Sequence, residues 1–69
     1  MTAEKIANFI WARMVNRLHH VRVSPDQDGH QFVCVLHFPN GTSLNIYVAA
    51  DADEAELEEL IRAARQVAG

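Results

Sequence analysis

Residues 30–49 read HQFVCVLHFPNGTSLNIYVA. Two alternating runs flank Phe38-Pro39-Asn40-Gly41, where Pro at the second turn position, Asn at the third and Gly at the fourth suit a type I turn closed by a glycine bulge. Such a turn pairs Phe38 with Thr42. It then sets Leu36 opposite Leu44, Cys34 opposite Ile46 and Phe32 opposite Val48. The hydrophobic alternation demands the same pairing, so turn chemistry and burial pattern predict one register independently. An antiparallel hairpin organises the chain, and the remaining segments read as its cover.

The chain has 69 residues, 49% hydrophobic and 22% charged. This is the composition of an ordinary folded chain, and residues 1–69 read as a single domain. A domain this small buries only about 60% of its unfolded surface, which predicts modest stability. One cysteine excludes an internal disulfide and argues against a thiolate metal site. Glu4 and Lys5 precede an apolar stretch broken by Asn8, Arg13, Asn16 and Arg17, unlike a signal peptide. No apolar run approaches the roughly 18 residues of a membrane span. The expectation is a cytoplasmic protein of a prokaryotic or phage-infected cell. The net charge of −3 hides a polarity: residues 1–22 carry Lys5, Arg13, Arg17 and Arg22 against Glu4 alone. Residues 51–59 carry Asp51, Asp53, Glu54, Glu56, Glu58 and Glu59 without a base.

Residues 3–18 predict an amphipathic helix with Thr2 as N-cap. Ile6, Ala7, Ile10, Trp11, Met14, Val15 and Leu18 share one half of the cylinder. Phe9 falls on the other side, among Lys5, Arg13 and Asn16. It either leans on its own helix or anchors a partner, as aromatics beside arginine do at interface centres. His19–Ser24 predicts a short strand, with Val21 and Val23 on the face of Phe32 and Cys34. Pro25–Gly29 reads as a turn of uncertain loop length. Residues 52–67 predict a second helix, with Asp51 and Glu54 as a capping box and a buried stripe of Leu57, Leu60, Ile61, Ala64, Val67 and Ala68. Glu58 and Arg62 stand at i,i+4, and Glu59 and Arg62 at i,i+3.

The order α-β-β-β-α, with Val21, Val23, Phe32, Cys34, Leu36, Leu44, Ile46 and Val48 on one sheet face, predicts an α+β fold. A three-stranded antiparallel meander carries both helices on that face. The opposite face then presents His20, Arg22, Val33, Val35, His37, Ser43, Asn45 and Tyr47, a mixed surface of the kind that makes contacts. His20 and His37 become neighbours in one allowed register, but two imidazoles without a third ligand argue against a metal centre. His19 is expected to pack against Trp11 or Leu18, and His30 sits at the hairpin mouth. Cys34 alternates inward as a small hydrophobe. No nucleophile elbow or phosphate-cradling glycine loop is present, so neither an enzyme nor a cofactor is expected.

In topology and length the chain resembles a double-stranded RNA-binding domain, and Ser24-Pro25-Asp26 ahead of Phe32 is similar to that family's Gly-Pro-x-His loop. Gln27 stands near the place of the loop histidine. Where the family grips phosphates with lysines at the start of its last helix, this chain has Asp53, Glu54 and Glu56, which would repel RNA. The resemblance therefore implies the topology and not the activity. In size and acidity the chain is also similar to phage-encoded anti-CRISPR inhibitors, which implies blocking of a basic nucleic-acid channel or a docking surface.

The leading expectation is a non-enzymatic interaction module that binds a protein or protein–nucleic acid complex. Its contact would be the acidic helix (Asp51, Asp53, Glu54, Glu56, Glu58, Glu59) or the sheet face with helix 1 (Phe9, Val33, Val35, His37, Asn45, Tyr47). The alternatives are a structural homodimer or accessory subunit using the sheet face, and direct nucleic-acid binding through Lys5, Arg13, Arg17 and Arg22.

Overall fold

A computed structural model describes residues 2–68, the side chain of Ala68 excepted. The expectation that Ala68 completes a buried stripe lies outside the described residues. The element order is α1 (Ala3–Met14), β1 (His20–Pro25), β2 (Gln31–His37), β3 (Ser43–Ala49) and α2 (Glu54–Ala68). The fold is α+β: an antiparallel sheet in the order β1-β2-β3 with both helices on one face.

The hairpin has the register its turn demands. Leu36 pairs with Leu44, Cys34 with Ile46, Phe32 with Val48, Val33 with Tyr47, Val35 with Asn45 and His37 with Ser43. In the turn, the Phe38 N–H donates to the Thr42 carbonyl at 2.9 Å and the Gly41 N–H to the Phe38 carbonyl at 3.0 Å. The bulge position requires a left-handed backbone, which Gly41 supplies at φ 90°. Asn40 locks the loop, its Oδ1 accepting from the Thr42 N–H at 3.0 Å and from the Thr42 hydroxyl at 2.6 Å.

β1 joins by pairing Val21 with Leu36 and Val23 with Cys34, so both valines share the core face. The strand runs one residue beyond the expected Ser24, taking in Pro25 opposite Phe32. Proline is tolerated there because β1 is an edge strand whose outward N–H needs no partner. The connection is therefore residues 26–30. In it Asp26 Oδ1 accepts from the Gln27 N–H at 2.6 Å, Asp26 Oδ2 accepts from Gln31 Nε2 at 3.1 Å, and Gly29 takes φ 72°.

Thr2 caps α1 as expected, its hydroxyl accepting from the Lys5 N–H at 3.2 Å. The helix ends at Met14, four residues short of the expected end, and residues 15–17 close a turn through the Arg17 N–H on the Met14 carbonyl at 2.8 Å. Leu18 is nevertheless buried, carried inward by the chain that follows. Two helices share one three-stranded sheet, so α1 buries a single row, Ile6, Ile10 and Met14, instead of half a cylinder. Trp11 at 39% and Val15 at 48% exposure flank that row, although they share its half of the cylinder.

α2 begins two residues later than expected. The Ala52 N–H donates to the Ala49 carbonyl at 3.0 Å, which holds Ala50 and Asp51 in a turn and buries Ala52. The cap is therefore Asp53 and not Asp51: Asp53 Oδ1 accepts from the Glu56 N–H at 2.9 Å. Leu57, Ile61 and Ala64 are buried and Leu60 packs against them. Val67, expected in the stripe, is 69% exposed in the last turns of the helix.

Cys34 is fully buried beneath the helices, and desolvation raises its thiol from 9.0 to about 11. The unfolded chain releases this proton near pH 9 and the folded chain only near 11. Unfolding therefore sheds a proton between those values, and stability falls as pH rises through that window. Urea unfolding should show this alkaline decline in the wild type and a shallower one in Cys34→Ala. Equal slopes would mean the thiol is not desolvated.

Candidate interaction surfaces

The acidic residues gather along the exposed side of α2 and its preceding turn, but they are not equivalent. Glu58 does not pair along its own helix with Arg62. Its Oε1 instead accepts from Arg13 Nε of α1 at 2.6 Å, strapping the two helices together. Arg62 turns to Glu59 at 3.5 Å. Asp53 is engaged as the helix cap. Asp51, Glu54 and Glu56 are exposed and enter no ion pair among the described residues. Sequence spacing locates these carboxylates but cannot choose between a partner on the same helix and one on a neighbouring helix.

Phe9 is half-buried against the core, with the Arg13 guanidinium carbon 3.5 Å from its ring centroid. Its outward side is thus roofed by the same arginine that holds Glu58. Below it, Lys5, Asn8, Phe9 and Glu54 line a shallow concavity of about 360 Å³.

The far sheet face carries the expected residues. Val33, Val35 and His37 are half-buried on the central strand, Asn45 is exposed, and Tyr47 is 55% exposed. Cross-strand pairing flanks Val35 with Arg22 and Asn45, and Val33 with Ser24 and Tyr47. This face lies on the side of the sheet opposite both helices. The acidic residues and Phe9 therefore cannot share one contact surface with it.

At the turn end of this face, His20 pairs with His37 and their rings stack at 6.0 Å with an interplanar angle of 28°. His19 is exposed and does not pack under Trp11 or Leu18. It joins His20, Arg22, His37 and Thr42 around an open concavity of about 530 Å³ with no acid in its lining. Among the described residues no group of three potential ligands is placed to hold a metal.

The basic residues of the first 22 positions are dispersed by the fold. Lys5 borders the concavity beside Phe9, and Arg13 is held by Glu58. Arg17 donates to the Arg65 carbonyl at 3.4 Å beside Arg62. Arg22 lies on the far sheet face. Proximity in sequence thus does not become a continuous basic stripe. A feature invisible to the one-dimensional pattern is an apolar groove of about 350 Å³ between β3 and α2, lined by Leu44, Ile46, Leu60, Ala63, Ala64 and Val67, with Asn45 and Tyr47 at its rim. Only the knowledge that β3 is an edge strand could have located it.

No helix among the described residues is long and apolar enough to cross a membrane. No protein-family model matches the chain, and no similar curated protein or solved structure was found.

Proposed function

We propose that the protein is a non-enzymatic interaction module that acts by binding another macromolecule through the acidic start of α2. The observation that carries this reading is the exposure of Asp51, Glu54 and Glu56 without an ion pair among the described residues, while the neighbouring Glu58 and Glu59 are paired with arginines. Carboxylates fixed at the start of a capped helix form a compact negative surface. Such a surface complements a basic groove of the kind that nucleic-acid-handling complexes present to phosphates. Occupying that groove would make the module an inhibitor.

The reading is tested by the combined variant Asp51→Asn, Glu54→Gln, Glu56→Gln. Affinity for a basic polypeptide probe such as polylysine at low salt should fall roughly tenfold, and its salt dependence should flatten. The single variant Glu59→Gln, which removes a carboxylate already paired, should change little. Unchanged binding in the combined variant would end the electrostatic reading. It would leave the far sheet face, favoured by the exposure of Tyr47, as the contact surface.

A further inference from the structure

We propose that the chain forms a twofold-symmetric homodimer by antiparallel pairing of β3 with β3 of a second copy, which joins two three-stranded sheets into one of six strands. This goes beyond the acidic contact and does not depend on it. The backbone hydrogen bonds that carry it follow from the hairpin register. Phe38 bonds Thr42 at one end of the hairpin and Ala50 bonds His30 at the other. The alternation between them turns the peptide groups of Leu44, Ile46 and Val48 toward β2. The N–H and C=O groups of Ser43, Asn45 and Tyr47 therefore point outward along an open edge.

Edges are ordinarily guarded by charge, proline or a bulge. β1, the other edge, carries Arg22 and ends in Pro25, whereas β3 reads SLNIYVA with neither charge nor proline. Beside it lies the apolar groove against α2, and the exposed Tyr47 and Val67 border that groove. A second copy fits this edge by its own symmetry. Full overlap of the two strands places the axis at Ile46, with Asn45 opposite Tyr47 of the second copy and Leu44 opposite its Val48. Strand faces are kept in register and no like charges meet. The same axis runs the two α2 helices antiparallel. The side of α2 that borders the groove, Leu60, Ala63 and Val67, then lies toward the same uncharged side of the other copy, so the apolar surface beside the edge is complementary to itself.

Sedimentation equilibrium of the full chain should give twice the chain mass at high-micromolar concentration. Asn45→Lys with Tyr47→Lys puts lysine opposite lysine twice across the axis and should weaken the dimer roughly thirtyfold. Asn45→Lys with Tyr47→Glu puts lysine opposite glutamate in this register and should restore it. Both positions carry exposed side chains, and circular dichroism checks that each variant folds. Amide hydrogen exchange needs no variant: Asn45 and Tyr47 should exchange roughly tenfold more slowly at high than at low concentration. A monomer at millimolar concentration, with the groove left to a foreign protein, overturns the proposal. So does a dimer indifferent to the lysine pair, failure of the lysine–glutamate variant to restore pairing, or exchange rates independent of concentration.

Discussion

Leu36→Ala is expected to remove about 3 kcal/mol of folding stability, within the range of roughly 2–5 kcal/mol for leucine truncation in a packed core. Leu36 is fully buried on the central strand, paired on one side with Val21 and on the other with Leu44. Both helices lie over this face, so no single element can move to fill the space. At about 0.05–0.15 kcal/mol per residue, a domain of this length has only roughly 3–10 kcal/mol to lose. The variant should therefore be partly unfolded at physiological temperature. Urea denaturation followed by circular dichroism would read the loss as a lowered midpoint with little change in slope. Leu44→Ala, on the half-buried edge, should lose less than half as much. A loss below about 1 kcal/mol for Leu36→Ala would mean that the core relaxes around the gap, which contradicts the packing described.

The hairpin is legible in the sequence because two physically unrelated constraints agree. A type I turn with its bulge fixes which residues face one another, and the alternation fixes which face is apolar. α1 is less legible because periodicity reports only the side of a helix on which apolar residues stand. It does not report how wide the neighbouring surface is or where that surface ends. Trp11 and Val15 lie at the margin of a row whose width is set by the three strands and two helices competing for them. Asp53 takes the place of the expected cap, Asp51, because of the turn that buries Ala52, a contact that no local pattern contains.

The same division holds for the interaction surfaces. The far sheet face follows from strand parity alone, because the alternation puts Val33, Val35, His37, Asn45 and Tyr47 on one side. The acidic run could be placed on a helix, but its working charge could not be read. Arg13 reaches Glu58 across 45 positions of sequence, and this one contact both removes a carboxylate from the free set and roofs Phe9. The stacked His20 and His37, with His19 and Arg22 close by, required the offset between β1 and β2, which the turn composition of residues 25–29 did not determine.

Strand parity can be put to the test by two adjacent aspartates with opposite expected outcomes. Cys34→Asp inserts a carboxylate at a fully buried position with no cation to meet it. The variant must either ionise in the core or stay protonated at neutral pH, and each course costs several kcal/mol. It should therefore be unfolded, with the native circular dichroism spectrum and any cooperative melt lost. Val35→Asp places the same group one residue on, at a half-buried position of the open face where Arg22 is its cross-strand neighbour. There the expected cost is about 1 kcal/mol, reflecting lost strand propensity offset by the arginine. Amide spectra should keep their dispersion and the melt should remain cooperative. The reverse result, a folded Cys34→Asp and an unfolded Val35→Asp, would invert the sheet and take the far-face surface with it. If both variants unfold, the open face is itself buried against another molecule. Repeating the Val35→Asp melt at high dilution separates that case, because a surface buried only by association loses its sensitivity once the molecules are apart.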